Sequence, residues 1–436
     1  SLFMDSVPEK ANIAETAQHD IHNASVDFGW TSSDQRHRFE LYSALATVNR
    51  DSYTGGYGSE EDPDPNAGRY YTRTKDVTWL CGGLFRTFFE KCWFMRARLT
   101  VGGEYTNDRL KDEMLGYGQT DRQKTDVGSL FAQNEWNDKK WTLLLGLRMD
   151  KYSSIGHPII SPRINVRYSP VHSLSLRATY SDGFRAPQIF DEDLHIEVAS
   201  GNRFKIKNAD DLKEERSHSY TISAEYMEKI QNAKVKWMAE LFLTDLNNIF
   251  AERETDRFDD AGNTIIERHN SSGAMVKGIT AETEINLSKK LDIEIGFTFQ
   301  NSEYDVPETW SDDAPSEKKM FRTPDTYGFA MIEYTPIVPL TISFNNTYTG
   351  KMLVQHFESG DNEKDKSVET SDFWDCGLSC KYSIPIHCVK MNVGIGVRNI
   401  FNAFQKDLDK GPKRDGAYIY GPASPRNYYF EISFHL

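Results

Sequence analysis

The amino-acid sequence predicts an all-β fold, a transmembrane antiparallel up-and-down β-barrel, on three observations. Apolar and polar residues alternate with a period of two in segment after segment, so each segment is a strand with one greasy face and one wetter face. The connections between segments are short and long in strict turn, as in membrane barrels with tight turns at one rim and long loops at the other. Charged residues recur on one face only, which a wet lumen permits and a packed core does not.

Composition agrees. Only 38% of the 436 residues are hydrophobic, and no run of about 18 apolar residues occurs, so no transmembrane helix is expected. A barrel needs neither, because only every second residue faces lipid. The net charge of -14, with no basic stripe and no P-loop, argues against nucleic acid as a partner. The chain opens on Ser1 without a signal peptide and reads as a mature or truncated piece.

In chain order, residues 1–24 show no period and are assigned to a loop or truncation remnant. The barrel domain is assigned to 25–436. Short connections fall at 31–37, 87–93, 137–140, 169–172, 229–234, 288–290, 335–338 and 384–387. Long ones fall at 50–75, 107–125, 151–160, 183–216, 251–263, 303–324, 352–371 and 399–426. Between them, Trp141, Leu143, Leu145 and Leu147 alternate with Thr142, Leu144, Gly146 and Arg148. Ile293, Ile295, Phe297 and Phe299 alternate with Glu294, Gly296, Thr298 and Gln300. Val389, Met391, Val393, Ile395 and Val397 alternate with Lys390, Asn392, Gly394 and Arg398. The last strand sets Tyr428, Phe430, Ile432, Phe434 and Leu436 against Tyr429, Glu431, Ser433 and His435.

Trp30, Trp93, Trp136, Trp141 and Trp237 sit beside short turns, and Trp79 and Trp374 near the other strand ends, as interfacial girdles require. Only Trp310 lies inside a long loop. The count is about 17 strands. Single-chain barrels use even numbers, and an open sheet in lipid would leave two unsatisfied edges. An odd number of strands is therefore expected before Ser25.

Five cysteines show no paired zinc spacing. Cys380 and Cys388 straddle a turn and could bridge it. Parity opposes this, because Cys380 shares the apolar face with Leu378, whereas Cys388 shares a polar face with Lys390 and Asn392.

Several segments resemble the TonB-dependent outer-membrane transporters. Ser161-Pro162-Arg163 with Tyr168, then Gly183-Phe184-Arg185-Ala186-Pro187, resembles that family's "SPR…Y…GFRAP" stretch. Asn208 to Ser217 is similar to its "NPxLKPExS" segment, with Ala209 and Glu214 where prolines are usual. Leu243-Thr244-Asp245-Leu246-Asn247-Asn248-Ile249 resembles its "YTDIKNLI" strand. Val397-Arg398-Asn399-Ile400-Phe401-Asn402 and Pro425-Arg426 match its ending. The last strand also resembles the terminal signature of bacterial outer-membrane barrels, with Leu436 where Phe or Trp is usual.

The resemblance implies a 22-stranded barrel in the bacterial outer membrane, with an N-terminal plug and a TonB-contacting segment that this chain does not contain. It implies import of a scarce metal chelate or cofactor (a ferric siderophore, haem or cobalamin) energised by the TonB complex. A passive porin or an adhesin-type barrel is the alternative, and no catalytic constellation is visible.

Ligand contacts are then expected from the long outward loops. Loop 183–216 carries Phe190, Asp191, Glu192 and His195, and loop 50–75 carries Tyr70 and Tyr71. Aromatics with a few polar groups suit a bulky ring-bearing ligand. Glu60, Glu61, Asp62 and Asp64 supply oxygen ligands that suit calcium, and no cofactor is required.

Overall fold

The computed structural model describes residues 14–55, 71–115, 119–188, 204–259, 264–287, 290–311, 314–357, 365–386, 389–407, 415, 418–422 and 424–435. In chain order the strands are β1 (Ala14–Thr31), β2 (His37–Gly55), β3 (Tyr71–Cys92), β4 (Met95–Met114), β5 (Gln119–Asn137), β6 (Trp141–Tyr152), β7 (Ile159–Val171) and β8 (Leu174–Arg185). There follow β9 (Phe204–Asn208), β10 (Glu215–Ile230), β11 (Ala233–Asn247), β12 (Phe250–Phe258), β13 (Thr264–Asn270), β14 (Ala274–Leu287), β15 (Leu291–Glu308) and β16 (Glu317–Lys319). The last are β17 (Thr326–Ile337), β18 (Leu340–Thr349), β19 (Leu353–His356), β20 (Lys366–Glu369), β21 (Phe373–Ile386), β22 (Val389–Arg398) and β23 (Asn427–His435).

One 18-stranded sheet holds the wall, made of seventeen antiparallel strands and the three-residue β16. Each wall strand pairs with its nearest wall neighbours in sequence, from β1 with β2 through to β22 with β23. Among the described residues β1 is bonded only to β2 and β23 only to β22. From Ala17 to Thr31 every residue of β1 is exposed.

Register sorts the two faces. Leu147 stands opposite Ala132, which stands opposite Val101, which stands opposite Phe85. Leu145, Leu147 and Ile295 are 40%, 52% and 50% exposed, and such apolar exposure over the whole outer face marks a surface that meets hydrocarbon. The inner face carries polar ladders. Arg148 Nη1 meets Glu104 Oε2 at 2.9 Å and its Nε meets Asp150 Oδ1 at 2.9 Å. Ser129 donates to Asp150 at 2.5 Å, and Tyr42 donates to Glu104 at 2.6 Å. Tyr42 reaches Glu104 by lying across Gly82, where a Cβ would come within 2.7 Å of its ring. A glycine is required there for that close approach.

Both rims carry aromatic pairs. At the short-turn rim Trp93 and Phe94 stack on Trp136 at 5.4 and 5.7 Å, and Trp141 on Tyr168 at 4.3 Å. At the loop rim Trp79 meets Tyr105 at 5.9 Å and Tyr348 meets Trp374 at 4.6 Å. On β3 the outward residues from Trp79 to Phe89 cover about the 9–11 residues that an inclined strand needs to cross hydrocarbon.

Two expectations are corrected. Residues 1–24 are not all loop, because β1 begins at Ala14 and its register starts at Ala14↔Gly55. From Thr16 to Asn23 one face is polar and the other mixes Ala17 and Ile21 with His19 and Asn23, so no period shows; backbone bonds to β2 hold this stretch. Two long connections are also shorter than expected. The β2–β3 and β4–β5 hairpins run on to Gly55 and Met114 before turning. Five small strands, β9, β12, β16, β19 and β20, fall in connections read as loops, and β13 begins directly after one of them.

Candidate ligand-binding mouth

Two groups of loop residues gather at the rim of long connections. The first is a three-stranded sheet in which β9 runs parallel to β13 and β12 runs antiparallel to it. Its residues are too charged to show a strand period, and cross-strand ion pairs hold it instead. Glu267 binds Arg253 at 2.5 Å and also Arg257, and these two guanidinium groups, Arg253 first, hold its carboxyl below the usual carboxylate range. Lys205 Nζ on β9 reaches Asp121 Oδ1 on β5 at 3.0 Å. Asp121 shares the inward face with Ser129 by parity, so this sheet is tied to the inner side of the rim. Asn270 secures the bases of both loops, donating to Lys213 O at 2.9 Å and Asn248 O at 2.8 Å.

The second group comes from the connections around β16, β19, β20 and the segment after β22. Val354, Phe373, Tyr418 and Tyr420 are buried together. His356 stacks on Tyr418 at 3.9 Å, and Trp310 meets Phe321 and Phe357 edge-on at 5.7 and 5.3 Å. Gln405 clamps the backbone of this segment, donating to Tyr418 O at 2.9 Å and accepting from Tyr420 N at 2.8 Å.

The hydroxyls of Tyr418 and Tyr420 both donate to Asp407, at 2.6 and 2.5 Å. Burial pushes Asp407 up, but hydrogen bonds from the two phenols, its own backbone and Gln405 together outweigh it and leave the carboxyl below its ordinary value. Burial first, then the bond to Asp407, raises Tyr418 and pushes Tyr420 up to about 12. Arg322 donates to Ile419 O at 3.1 Å, while Phe357 and Ile419 stay 42% and 55% exposed. The cluster thus offers aromatic edges beside polar groups, the surface a bulky ring-bearing ligand requires.

Of the residues expected from sequence to bind ligand, Phe190, Asp191, Glu192 and His195 lie outside the described residues, as do Tyr70 and the acidic Glu60, Glu61, Asp62 and Asp64. Tyr71 is described and packs on the buried Tyr53 at 4.8 Å. Among the described residues no group of three His, Cys, Asp or Glu side chains is arranged to hold a metal ion. Cys380 is a free thiol, and Cys388 lies outside the described residues. The Tyr418 cluster was missed from sequence. Its available signals were Trp310, the lone loop tryptophan, and the Tyr418-Ile419-Tyr420 alternation within a loop.

A polar-lined wall, apolar outside and carrying two packed loop clusters at one rim, defines a membrane β-barrel. The chain belongs to the TonB dependent receptor-like, beta-barrel family, whose model matches residues 8–400. No curated protein sequence gives a match. Among solved structures it is similar to a mutant of the ferric enterobactin receptor PfeA from Pseudomonas aeruginosa, with a TM-score of 0.71 and 15% identity over 96% of this chain and 62% of that one. The ferric-catecholate import receptor Fiu from E. coli K12 matches with a TM-score of 0.68 and 12% identity, over 97% and 64% of the two chains. The FrpB iron transporter from Neisseria meningitidis gives 0.67 and 15%, over 95% and 63%. The chain spans less than two thirds of the length of these structures.

Proposed function

We propose that this chain forms the wall and mouth of an outer-membrane receptor that imports a ferric siderophore, with energy delivered through TonB. The observation that carries this reading is the family match over a barrel whose rim bears aromatic and polar loop clusters. The family match disfavours the porin and adhesin readings. Among the ligands considered, a ferric chelate is favoured over haem or cobalamin because the similar structures are receptors and transporters of iron or its siderophores. The family is one of transport receptors, and no catalytic role is proposed.

The edges of β1 and β23 would leave backbone groups unpaired in lipid, at several kcal/mol each. Further strands closing the sheet, and a plug carrying the TonB contact, complete the proposed receptor. Calcium on the 60–64 acidic run remains part of the proposal, as a brace for the outer loop.

The test is ligand affinity of the purified intact receptor for a ferric catecholate, haem and cobalamin. The ferric catecholate is expected to bind tightest. Replacing Phe190, Asp191 and His195 together by Ala should weaken that binding about 30-fold or more, since one anchoring aromatic contributes about 2 kcal/mol. Unchanged affinity in the triple variant would remove the 183–216 loop from the site. Preference for haem or cobalamin would overturn the ligand assignment.

A further inference from the structure

No basic stripe is legible in the sequence, yet strand register assembles one. Lys75 on β3 stands opposite Lys111 on β4, and Lys111 stands opposite Arg122 on β5. One row nearer the short turns, Arg109 stands opposite Lys124. All five lie on the outward face, each an even number of residues from Trp79, Tyr105 or Leu130 on its own strand. Like charges directly opposite each other destabilise a sheet, and neighbouring acids relieve this only in part. Lys111 pairs with Glu113 at 2.6 Å and Lys124 with Asp126 at 2.9 Å, while Asp51 is taken up by Arg73 at 2.9 Å. Lys75, Arg109 and Arg122 form no ion pair among the described residues. With strands about 4.8 Å apart and rows about 7 Å apart, the patch measures roughly 10 by 7 Å. That is the spread of two phosphate groups on one headgroup.

A second observation lies just below, toward the short turns. The same outward face carries a groove of about 850 Å³, floored by Ser43, Cys81, Gly103 and Gly128 and walled by Tyr105 and Leu130. Its position is the upper part of the apolar band, away from the ligand mouth, so whatever fills it is immersed in hydrocarbon. The five cations sit two and three rows above it, where headgroups meet water. Small residues form the floor because four neighbouring strands each present a short side chain or none in adjoining rows. At Gly128 an added Cβ would meet nothing within 4 Å, so the space above it is open.

We propose that this face binds one phosphate-bearing membrane lipid, with its phosphates on Lys75, Arg109, Lys111, Arg122 and Lys124 and an acyl chain in the groove. A soluble anion would satisfy the cations and leave the groove unfilled. An uncharged lipid would fill the groove and leave the like charges opposed. Only an amphiphile answers both.

The test uses the intact receptor purified in mild detergent. Native mass spectrometry reads its retention of diphosphoryl lipid A, phosphatidylcholine and inorganic phosphate. One diphosphoryl lipid per receptor is expected to remain bound. Lys75→Gln/Lys111→Gln/Arg122→Gln should lower that retention at least tenfold. Gly128→Leu, which fills the groove without replacing any of the five cations, should lower it several-fold. Should the triple variant fail to assemble, Arg122→Gln and Gly128→Leu carry the test. Retention unchanged in these variants, equal retention of phosphatidylcholine, or full displacement by equimolar inorganic phosphate would each overturn the proposal.

Discussion

At the scale of single residues, the alternation along β6 and β15 separates two solvents. Leu145 and Ile295 point outward and are about half exposed, whereas Arg148 is held between Glu104 and Asp150 on the inner face. Leu145→Arg or Ile295→Arg should therefore cost about 2–4 kcal/mol near the bilayer midplane, read as reduced folding in lipid by denaturant titration. Glu294→Gln should cost far less, and equal damage at both faces would contradict the assignment. The Tyr418 cluster gives a pH prediction. A raised tyrosine pKa means that the folded loop holds the neutral phenol more tightly than the unfolded chain does. Its contribution is complete below about pH 10 and is lost as pH rises through about 12 for Tyr420. Asp407 works in the opposite sense. Its lowered pKa supplies stability above the ordinary carboxylate range that is lost as pH falls through the depressed value. Tyrosinate absorbance should include Tyr418 and Tyr420 among the late-titrating phenols, and Asp407→Asn should bring these two to lower pH. Titration unmoved by that change would mean that the carboxylate does not hold them.

At the scale of elements, the wall was legible because the bilayer writes itself into the pattern. All eight short connections expected from sequence overlap or adjoin a boundary between consecutive wall strands, although 87–93, 169–172, 335–338 and 384–387 fall mostly within the ends of β3, β7, β17 and β21. Lipid on one side and water on the other impose the period of two, and a turn is where it breaks. The loop strands were illegible for the converse reason. On β12 and β13, Arg253, Arg257 and Glu267 face one another as an ion-pair cluster, with no apolar face to impose a period. The strand at 14–24 was hidden in the same way, since its hydrogen bonds come from β2 and neither side carries an apolar run. Of the expected site, Tyr71 alone is described, and its partner Tyr53 lies across a register that the sequence does not display. Orientation follows from the same sorting. Protease added to intact cells should cut within the long connections and spare 138–140. Lys205→Met should release β9 from β5 and speed cleavage of the 183–216 loop several-fold, and an unchanged cleavage rate would show that the Lys205–Asp121 pair does not secure it.

At the scale of the molecule, an antiparallel wall with an apolar exterior, a polar interior and loop clusters at one rim matches the family of TonB-dependent receptor barrels. The ladders of Arg148, Glu104 and Asp150 make the interior wet, and the clusters around Tyr418 and Glu267 build up its loop rim. A wet interior closed by the proposed plug passes solute only if something opens the path, which is the reason the proposed function calls for energy from outside this domain. The most direct measurement is uptake of a radiolabelled ferric catecholate by cells whose only receptor for it is the intact protein, with and without a protonophore that collapses the inner-membrane gradient. The account predicts that the ligand still binds at the cell surface while accumulation falls to the level of cells lacking the receptor. Uptake that continues at the same rate without the gradient would contradict it.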